Sequence, residues 1–334
     1  MPETRFYDFL ENKIKDNKSK LLFQKRDGWS WKQITWLDFN AEVKSIASFL
    51  LDLGFKNGEQ VLMISSNTLE CLFAESAIFL LGGCSIPVPF NTEAEKIEEI
   101  LIKEKVRFIF LSNEGVLNNL NDVLNSNKNI EKIFIFSDFK SNIEDKIINY
   151  KTVVKFGFLK AKKLKDELKD FSESVNSDIP AINFYNFDGD KTENKILTQE
   201  IFLELLHLTY KKLRFITPED QSYTYLTSSG SFSKLVNFLP FFIGNRGAIA
   251  ENKNDFITDV LEVMPSVMFL SREGMKRSVN YLNEKNGSGS LKKSFGGRLK
   301  YVFTDIEPEY SVKSRFISDG ISVVDLPELA TISS

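Results

Sequence analysis

Between residues 36 and 53 the apolar positions Phe39, Val43, Ile46, Ala47, Leu50 and Leu51 recur at helical spacing, and Gly54 follows them. This pattern predicts one helix with a single buried face, stopped at the glycine. Residues 60–65 form a short continuous apolar run, the mark of a buried strand. Residues 68–81 read as a largely apolar helix and 84–88 as another strand. Thr92 opens a helix that runs to Lys105, with Glu93 and Glu95 in its first turn near the positive end of the dipole. Residues 106–111 and 130–137 are predicted strands, separated by a helix in the Asn-rich stretch 113–126. Strands alternating with helices at this rhythm predict a parallel sheet covered on both faces.

A polar, Lys-rich stretch, 139–180, separates the halves, and within it 160–175 is predicted as a charged surface helix. Alternation then resumes, with predicted strands at 181–187, 222–226, 266–270, 299–304 and 321–324. Asn286-Gly287-Ser288-Gly289-Ser290 reads as a short flexible connector. No repeat of solenoid period is present. The expected organisation is two α/β subdomains, 1–178 and 179–334.

Composition narrows the class. With 334 residues, 42% hydrophobic and 27% charged, the chain can bury a substantial core. Phe is frequent at 30, so that core is expected to be aromatic-rich. A net charge of −3 and a pI near 5.6 provide no basic field for nucleic acid. The Lys residues of 160–169 alternate with Asp and Glu and read as solvated helix faces. Cys71 and Cys84 cannot form a disulfide framework and fit a reducing compartment. The N-terminus lacks the apolar run of a signal peptide. The longest apolar stretch, 78–90, is broken by Gly82, Gly83, Pro87 and Pro89 and is too short to span a bilayer. The expectation is a cytoplasmic protein without a transmembrane segment.

Several blocks then occur in a particular order. Trp29-Ser30-Trp31 leads through Thr35-Trp36 to Phe39, Val43, Ala47, Leu50 and Gly54. Gly58, Val61, Ser66-Asn67 and Glu70 follow, then Gly82-Gly83, Pro87 and Pro89. Residues 184–199 have the length and flanks of a Ser/Thr/Gly-rich phosphate loop, Y-T-S-G-T-T-G-x-P-K-G-V-x-L-T-H. Residues 255–265 with Ser271-Arg272, and 295–299 before a strand, complete the order. Together these blocks resemble the large domain of the adenylate-forming acyl-CoA synthetases, closest to the long-chain enzymes, over nearly the whole chain. The resemblance implies an α/β fold of two doubly wound mixed or parallel sheets flanked by helices.

The departures fall on the positions that handle charge. A phosphate loop works because small residues expose backbone N–H groups to phosphate oxygens while a Lys adds positive charge. Here Asn186, Asp188, Gly189, Asp190, Glu193 and Thr198 occupy the loop. Glu193 stands where the family has Lys, Asn194 where it has Gly, and Gln199 where it has His. Two negative charges about 4 Å apart repel by roughly 4 kcal/mol at an effective dielectric of about 20, so Lys-to-Glu reverses a term of that order. Leu226-Thr227-Ser228-Ser229-Gly230 replaces a Leu-Pro-x-x-His motif. Asp305-Ile306-Glu307-Pro308 replaces the adenine-contacting Gly-Gly-Ala-Pro. The motif whose Glu helps to hold Mg²⁺ aligns with residues 327–331, and sliding by one places Glu328 at that Glu. The chain stops at Ser334, which on the resemblance leaves out the ribose-binding Asp, the hinge and the C-terminal lid domain with its catalytic Lys.

Each signal has a plainer reading beside it. Asp188, Asp190 and Glu193 are closely spaced oxygens, but they lack the third ligand and central Gly of a calcium loop, so a polar turn is the better account and no metal site is expected. His207 is the lone histidine, on an apolar helix, and packing is its expected role. The hydroxyls of 227–231 suit helix capping better than phosphate binding, although Lys234 lies close in sequence. On the resemblance, Gly230, Phe232 and Arg272 would line an acyl pocket, and Asp305, Pro308 and Glu328 would be remnants of the adenine and Mg²⁺ site. Core packing and a surface ion pair are the alternatives.

The resulting expectation is a pseudoenzyme that kept the scaffold and lost ATP activation, without a cofactor. Its partners would be a fatty acyl ligand, an active synthetase or a lid-domain protein. The rivals are a working ATP- and Mg²⁺-dependent ligase of altered mechanism, with Lys191 or Lys195 serving the phosphates, or one half of a split synthetase.

Overall fold

In the computed structural model the described residues are 3–188, 191–252, 254–284 and 289–326. The chain begins α1 (Phe6–Asn17), β1 (Leu21–Asp27), β2 (Ser30–Thr35), α2 (Trp36–Asp52), β3 (Gln60–Ile64), α3 (Leu69–Leu80), β4 (Cys84–Val88) and α4 (Ala94–Lys103). It continues β5 (Phe108–Leu111), α5 (Glu114–Asn119), α6 (Asn121–Ser126), β6 (Lys132–Ile135), β7 (Ile147–Asn149), α7 (Tyr150–Lys163) and α8 (Lys165–Glu173). Next come β8 (Pro180–Asp188), β9 (Lys191–Thr198), α9 (Gln199–Lys212), β10 (Gln221–Tyr225), α10 (Ser231–Ile243), β11 (Arg246–Ile249) and α11 (Phe256–Val263). Then follow β12 (Val267–Leu270), α12 (Arg272–Glu284), α13 (Leu291–Ser294), β13 (Tyr301–Thr304), α14 (Tyr310–Ser318) and β14 (Ser322–Asp325).

Two compact units divide these elements. The first holds residues up to Ser19, Trp36–Ser66 and Glu70–Leu205; the second holds Lys20–Thr35, Asn67–Leu69 and Leu206 onward. Each contains one seven-stranded sheet, ordered β7-β6-β5-β3-β4-β8-β9 in the first and β14-β13-β12-β10-β11-β1-β2 in the second. Six strands in each run parallel, and an antiparallel partner, β9 or β2, closes one edge. The division differs from the boundary expected at 178/179. β8 registers on β4 at Ser85↔Ile182 and carries β9 with it, so the hairpin at the phosphate-loop position belongs to the first sheet. β1 pairs with β11 instead of its sequence neighbours, so the N-terminal hairpin belongs to the second.

Most local expectations hold to within a few residues, because apolar runs and helical faces are local properties. Helix α4 is one correction: it starts at Ala94 with Glu93 as N-cap and no side-chain capping bond, so Thr92 does not open it. Asparagines start two other helices, Asn113 accepting from Val116 N at 3.1 Å and Asn149 from Lys151 N at 2.8 Å. A larger correction is the separating stretch 139–180, which is integral to the first unit. It supplies β7 at the sheet edge and two helices, α7 and α8, where one surface helix was expected.

α7 lies against α2 at very close range. A Cβ on Gly157 would stand 2.0 Å from the Ser45 carbonyl oxygen and 3.3 Å from Phe49 Cβ. Beneath, Phe134 meets Phe110 with ring centroids 4.7 Å apart and Phe108 at 6.2 Å. The aromatic-rich core anticipated from composition is therefore present in this unit. In the second unit Asp220 ties together the starts of three parallel strands. It accepts from Thr217 N at 3.0 Å, Ser266 Oγ at 2.8 Å and Lys300 Nζ at 2.9 Å. Burial works against its charge, but these donors outweigh burial and hold the carboxyl below its ordinary range. Asp259 shows the opposite balance. Burial pushes its carboxyl up to about 6, and Arg26 at 3.0 Å together with the Tyr223 hydroxyl at 3.1 Å only partly offsets that.

Two measurements follow. Gly157→Ala gains up to about 1 kcal/mol of helix propensity, but overpacking against a backbone carbonyl costs about 1–3 kcal/mol, so net destabilisation is expected in urea unfolding. For Asp259, the folded protein takes up its proton near pH 6, whereas the unfolded chain does so near pH 4. Stability of the parent relative to Asp259→Asn therefore rises as pH falls from about 7 to about 4 and is level above that window. Urea midpoints of both proteins across the range check it.

Candidate functional site

In open α/β sheets, ligands bind outside the carboxyl ends of the strands where the winding direction reverses. In the second unit that reversal lies between β10 and β12, since β11 follows on one side and β12 on the other. At these ends stand Leu226 to Gly230 after β10, Ser271-Arg272 after β12 and Asp305 to Pro308 after β13. Five expected site residues, Gly230, Phe232, Arg272, Asp305 and Pro308, thus gather along one sheet edge although 78 positions separate the first from the last.

Their geometry is largely self-satisfied. Arg272 Nη2 donates to the Glu307 carbonyl at 3.3 Å. Burial raises the Asp305 carboxyl, and backbone N–H bonds from residues 305 and 306, then the Arg272 charge, offset this only in part. Thr304 Oγ1 donates to Ile306 O at 3.1 Å, which fixes the turn that follows β13. Phe232 is buried and meets Phe269 edge-on with centroids 6.4 Å apart, and Phe269 stacks on Phe303 at 5.3 Å. Gly230 is the N-cap residue of α10, and a Cβ there would meet nothing nearer than 3.9 Å. Ser233 Oγ donates to Gly230 O at 2.7 Å, and Gly230 at the N-cap makes no side-chain capping bond. Lys234, the cation nearest in sequence, is buried at 2% exposure. His207 is half-buried, its ring centroid 6.4 Å from that of Phe242, in keeping with packing.

In the first unit the corresponding reversal lies between β3 and β5. There Ser66 N donates to Ser112 Oγ at 2.7 Å, and Ser112 Oγ lies 3.4 Å from Ser65 Oγ. The expected phosphate-loop residues stand at the β8–β9 edge. The two strands pair residue by residue: Tyr185↔Asn194, Asn186↔Glu193, Phe187↔Thr192 and Asp188↔Lys191. Sequence reading missed β9 because Lys-Thr-Glu-Asn-Lys looks like a loop, and the pairing with β8 decides otherwise. Gly189 and Asp190 lie outside the described residues, as does Glu328.

Helix α4 braces this hairpin. Thr192 Oγ1 donates to Glu99 Oε2 at 3.0 Å and lies 3.4 Å from Lys96 Nζ. Lys103 Nζ donates to Asn194 Oδ1 at 3.0 Å, and its charge stands 5.1 Å from the Tyr185 ring centroid. The Tyr185 hydroxyl donates to Glu104. Burial, then that carboxylate, raises the phenol well above its usual range. Tyr185 and Phe187 rest on the aliphatic core below, while Asn186 and Glu193 are exposed. Thr198 caps α9, accepting from Ile201 N at 3.3 Å.

Gln199 has a role that its position alone did not disclose. Its side chain, 2% exposed, accepts from Phe6 N at 2.8 Å and donates to Phe79 O at 2.7 Å. Both halves of the amide are satisfied inside the core, joining the start of α1 to the end of α3. Among the described residues no group of three or more His, Cys, Asp and Glu side chains is placed to hold a metal ion. No helix among them is long and apolar enough to cross a membrane.

The profile described as AMP-binding enzyme matches residues 12–179, half of the chain. The chain belongs to the AMP-binding enzyme family. Among relatives of this family, an acetyl-coenzyme A synthetase of Gamma-proteobacterium EBAC31A08 is 24% identical over 211 residues, 61% of this chain and 32% of its own length. A hybrid PKS-NRPS synthetase, gkaA, of Penicillium citrinum is 29% identical over 114 residues, 34% of this chain and 3% of its own. The chain thus spans at most about a third of the length of these relatives. Among solved structures, the anthranilate CoA ligase AuaEII superposes with a TM-score of 0.76 at 11% identity, covering 96% of this chain and 58% of that one. The long-chain-fatty-acid-CoA ligase FadD1 of Archaeoglobus fulgidus gives 0.74 at 12%, covering 97% and 64%. The two mixed sheets are those of the adenylate-forming large domain, as the resemblance implied.

Gln199→Leu tests the buried amide in this family member. It leaves an N–H and a carbonyl unpaired in the core, each costing about 1–3 kcal/mol. A Tm loss of roughly 5–10 °C is expected by calorimetry. A loss of less than about 1 °C would mean the amide does not join the two helices.

Proposed function

We propose that this chain is a catalytically impaired member of the family, a pseudoenzyme that acts by binding instead of by ATP-dependent ligation. Its ligand class is a fatty acyl chain, its partner an active synthetase, and it works without ATP or Mg²⁺ in a reducing, cytoplasmic setting. One observation carries this reading: the continuous pairing of β8 with β9 through Asn186↔Glu193 and Asp188↔Lys191, with Glu193 exposed where the family resemblance calls for Lys. A phosphate cradle needs several backbone amides turned toward one point. An antiparallel ladder turns successive amides to alternate sides, and a carboxylate beside it repels what the cradle would hold.

The acyl part of the proposal draws on the buried aromatic run Phe232, Phe269 and Phe303 next to Arg272, and on the long-chain-fatty-acid ligase among the structures this fold matches. A second reading, a working ligase of altered mechanism, draws on Lys96 and Lys103, whose ammonium groups reach Thr192 and Asn194 at the hairpin.

Calorimetric titration of the purified chain with Mg·ATP, with and without a long-chain fatty acid, separates the readings. Saturable binding of the fatty acid and no heat from ATP is expected. Glu193→Lys together with Asn194→Gly is expected to leave ATP unbound, because the paired strands remain closed. Acyl-dependent exchange of pyrophosphate into ATP would overturn the pseudoenzyme reading. Loss of that exchange in Lys96→Met or Lys103→Met would then assign the phosphates to α4.

A further inference from the structure

The outer face of α7 combines exposed apolar side chains with lysines. Positions 151, 155, 158, 159 and 162 recur at helical spacing, and all are exposed: Lys151, Lys155, Phe158, Leu159 and Lys162. Phe158 is 64% exposed and Leu159 63%, side by side, while Val153 and Gly157 on the opposite face are buried. A surface helix places its apolar residues toward the core. α7 does so and carries a second apolar pair on its outer side.

The charge on α7 itself is of one sign. α7 contains Lys151, Lys155, Lys160, Lys162 and Lys163 and no Asp or Glu. Lys151 pairs with Asp138 at 2.5 Å and Lys160 with Asp52 at 2.9 Å. Lys155, Lys162 and Lys163 make no ion pair among the described residues. The acids that follow, Asp166, Glu167, Asp170 and Glu173, belong to α8, and there Lys169 pairs with Glu173. We propose that this face docks onto an anionic phospholipid surface, with Phe158 and Leu159 entering the headgroup region and Lys155, Lys162 and Lys163 meeting lipid phosphates.

Charge complementarity selects the occupant. A second copy would meet this face through the same patch and set lysine against lysine. A protein partner would need an apolar pocket for two adjacent side chains ringed by acids. An anionic bilayer offers apolar depth and negative charge continuously, the combination that interfacial helices use. The proposal does not depend on whether the chain binds ATP.

Sedimentation of the full chain with phosphatidylcholine vesicles, with and without phosphatidylserine, tests it. Binding to the anionic vesicles and not to the neutral ones is expected, and so is release when salt rises from about 0.1 M to about 1 M. Each lysine should contribute roughly fivefold to partitioning, so replacing Lys155, Lys162 and Lys163 together by Gln should weaken binding on the order of a hundredfold. F158S/L159S should weaken it at least tenfold with an unchanged melting temperature, since both side chains are exposed. Failure of the parent chain to bind anionic vesicles, or equal binding by F158S/L159S, would overturn the proposal. So would a parent dimer that F158S/L159S converts to monomer without any vesicle binding, which would assign the face to self-association.

Discussion

The antiparallel register between Pro180–Asp188 and Lys191–Thr198 is the constraint on which the candidate site of the first unit depends. It pairs the strands of a segment that the family resemblance aligns with a phosphate loop. Where the two strands pair, successive amides are committed in direction, and side chains decide what the paired segment offers. Those side chains are already engaged: Thr192 and Asn194 with Glu99 and Lys103 of α4, and Tyr185 with Glu104. The ribbon is held by its partners on both sides, and Gln199 anchors the helix that follows it into the core.

Each unit repeats one architectural idea. Six parallel strands need helices on both faces, and the exposed edge is closed by an antiparallel neighbour. In the second unit that neighbour is the N-terminal hairpin, held by a short polar network in which Arg26 meets Asp259 and Glu262 and stacks over Trp31. The cost of burying Asp259 is visible in its raised carboxyl. At the carboxyl ends of the same sheet Arg272 donates to the Glu307 carbonyl, so an incoming carboxylate would have to compete with a group of the protein itself.

The contact between α2 and α7 shows how a surface property arises from packing. Gly157 permits an approach that any other residue would block, and this turns Lys155, Phe158, Leu159 and Lys162 outward together. In the sequence the same residues are part of a Lys-rich stretch in which acids and bases alternate. The structure sorts them, placing most of the lysines on α7 and most of the acids on α8.

What the sequence determined by itself was local: which segments are apolar, at which period, and where they stop. Strands such as Cys84–Val88 and helices such as Trp36–Asp52 were legible because a run of apolar residues or a 3.6-residue face needs no knowledge of its partner. The ordered blocks also carried the resemblance, and with it the two-sheet fold and the positions where charge departs from the family. Pairing was decided only in three dimensions. β9 is polar along most of its length and is a strand because β8 lies beside it, and β1 enters the second sheet because β11 accepts it there. Nor did a one-residue view of Gln199 reveal two buried bonds to residues 193 and 120 positions away. Strand order, register and buried hydrogen bonds join residues far apart in the chain, and local pattern contains no term for such contacts.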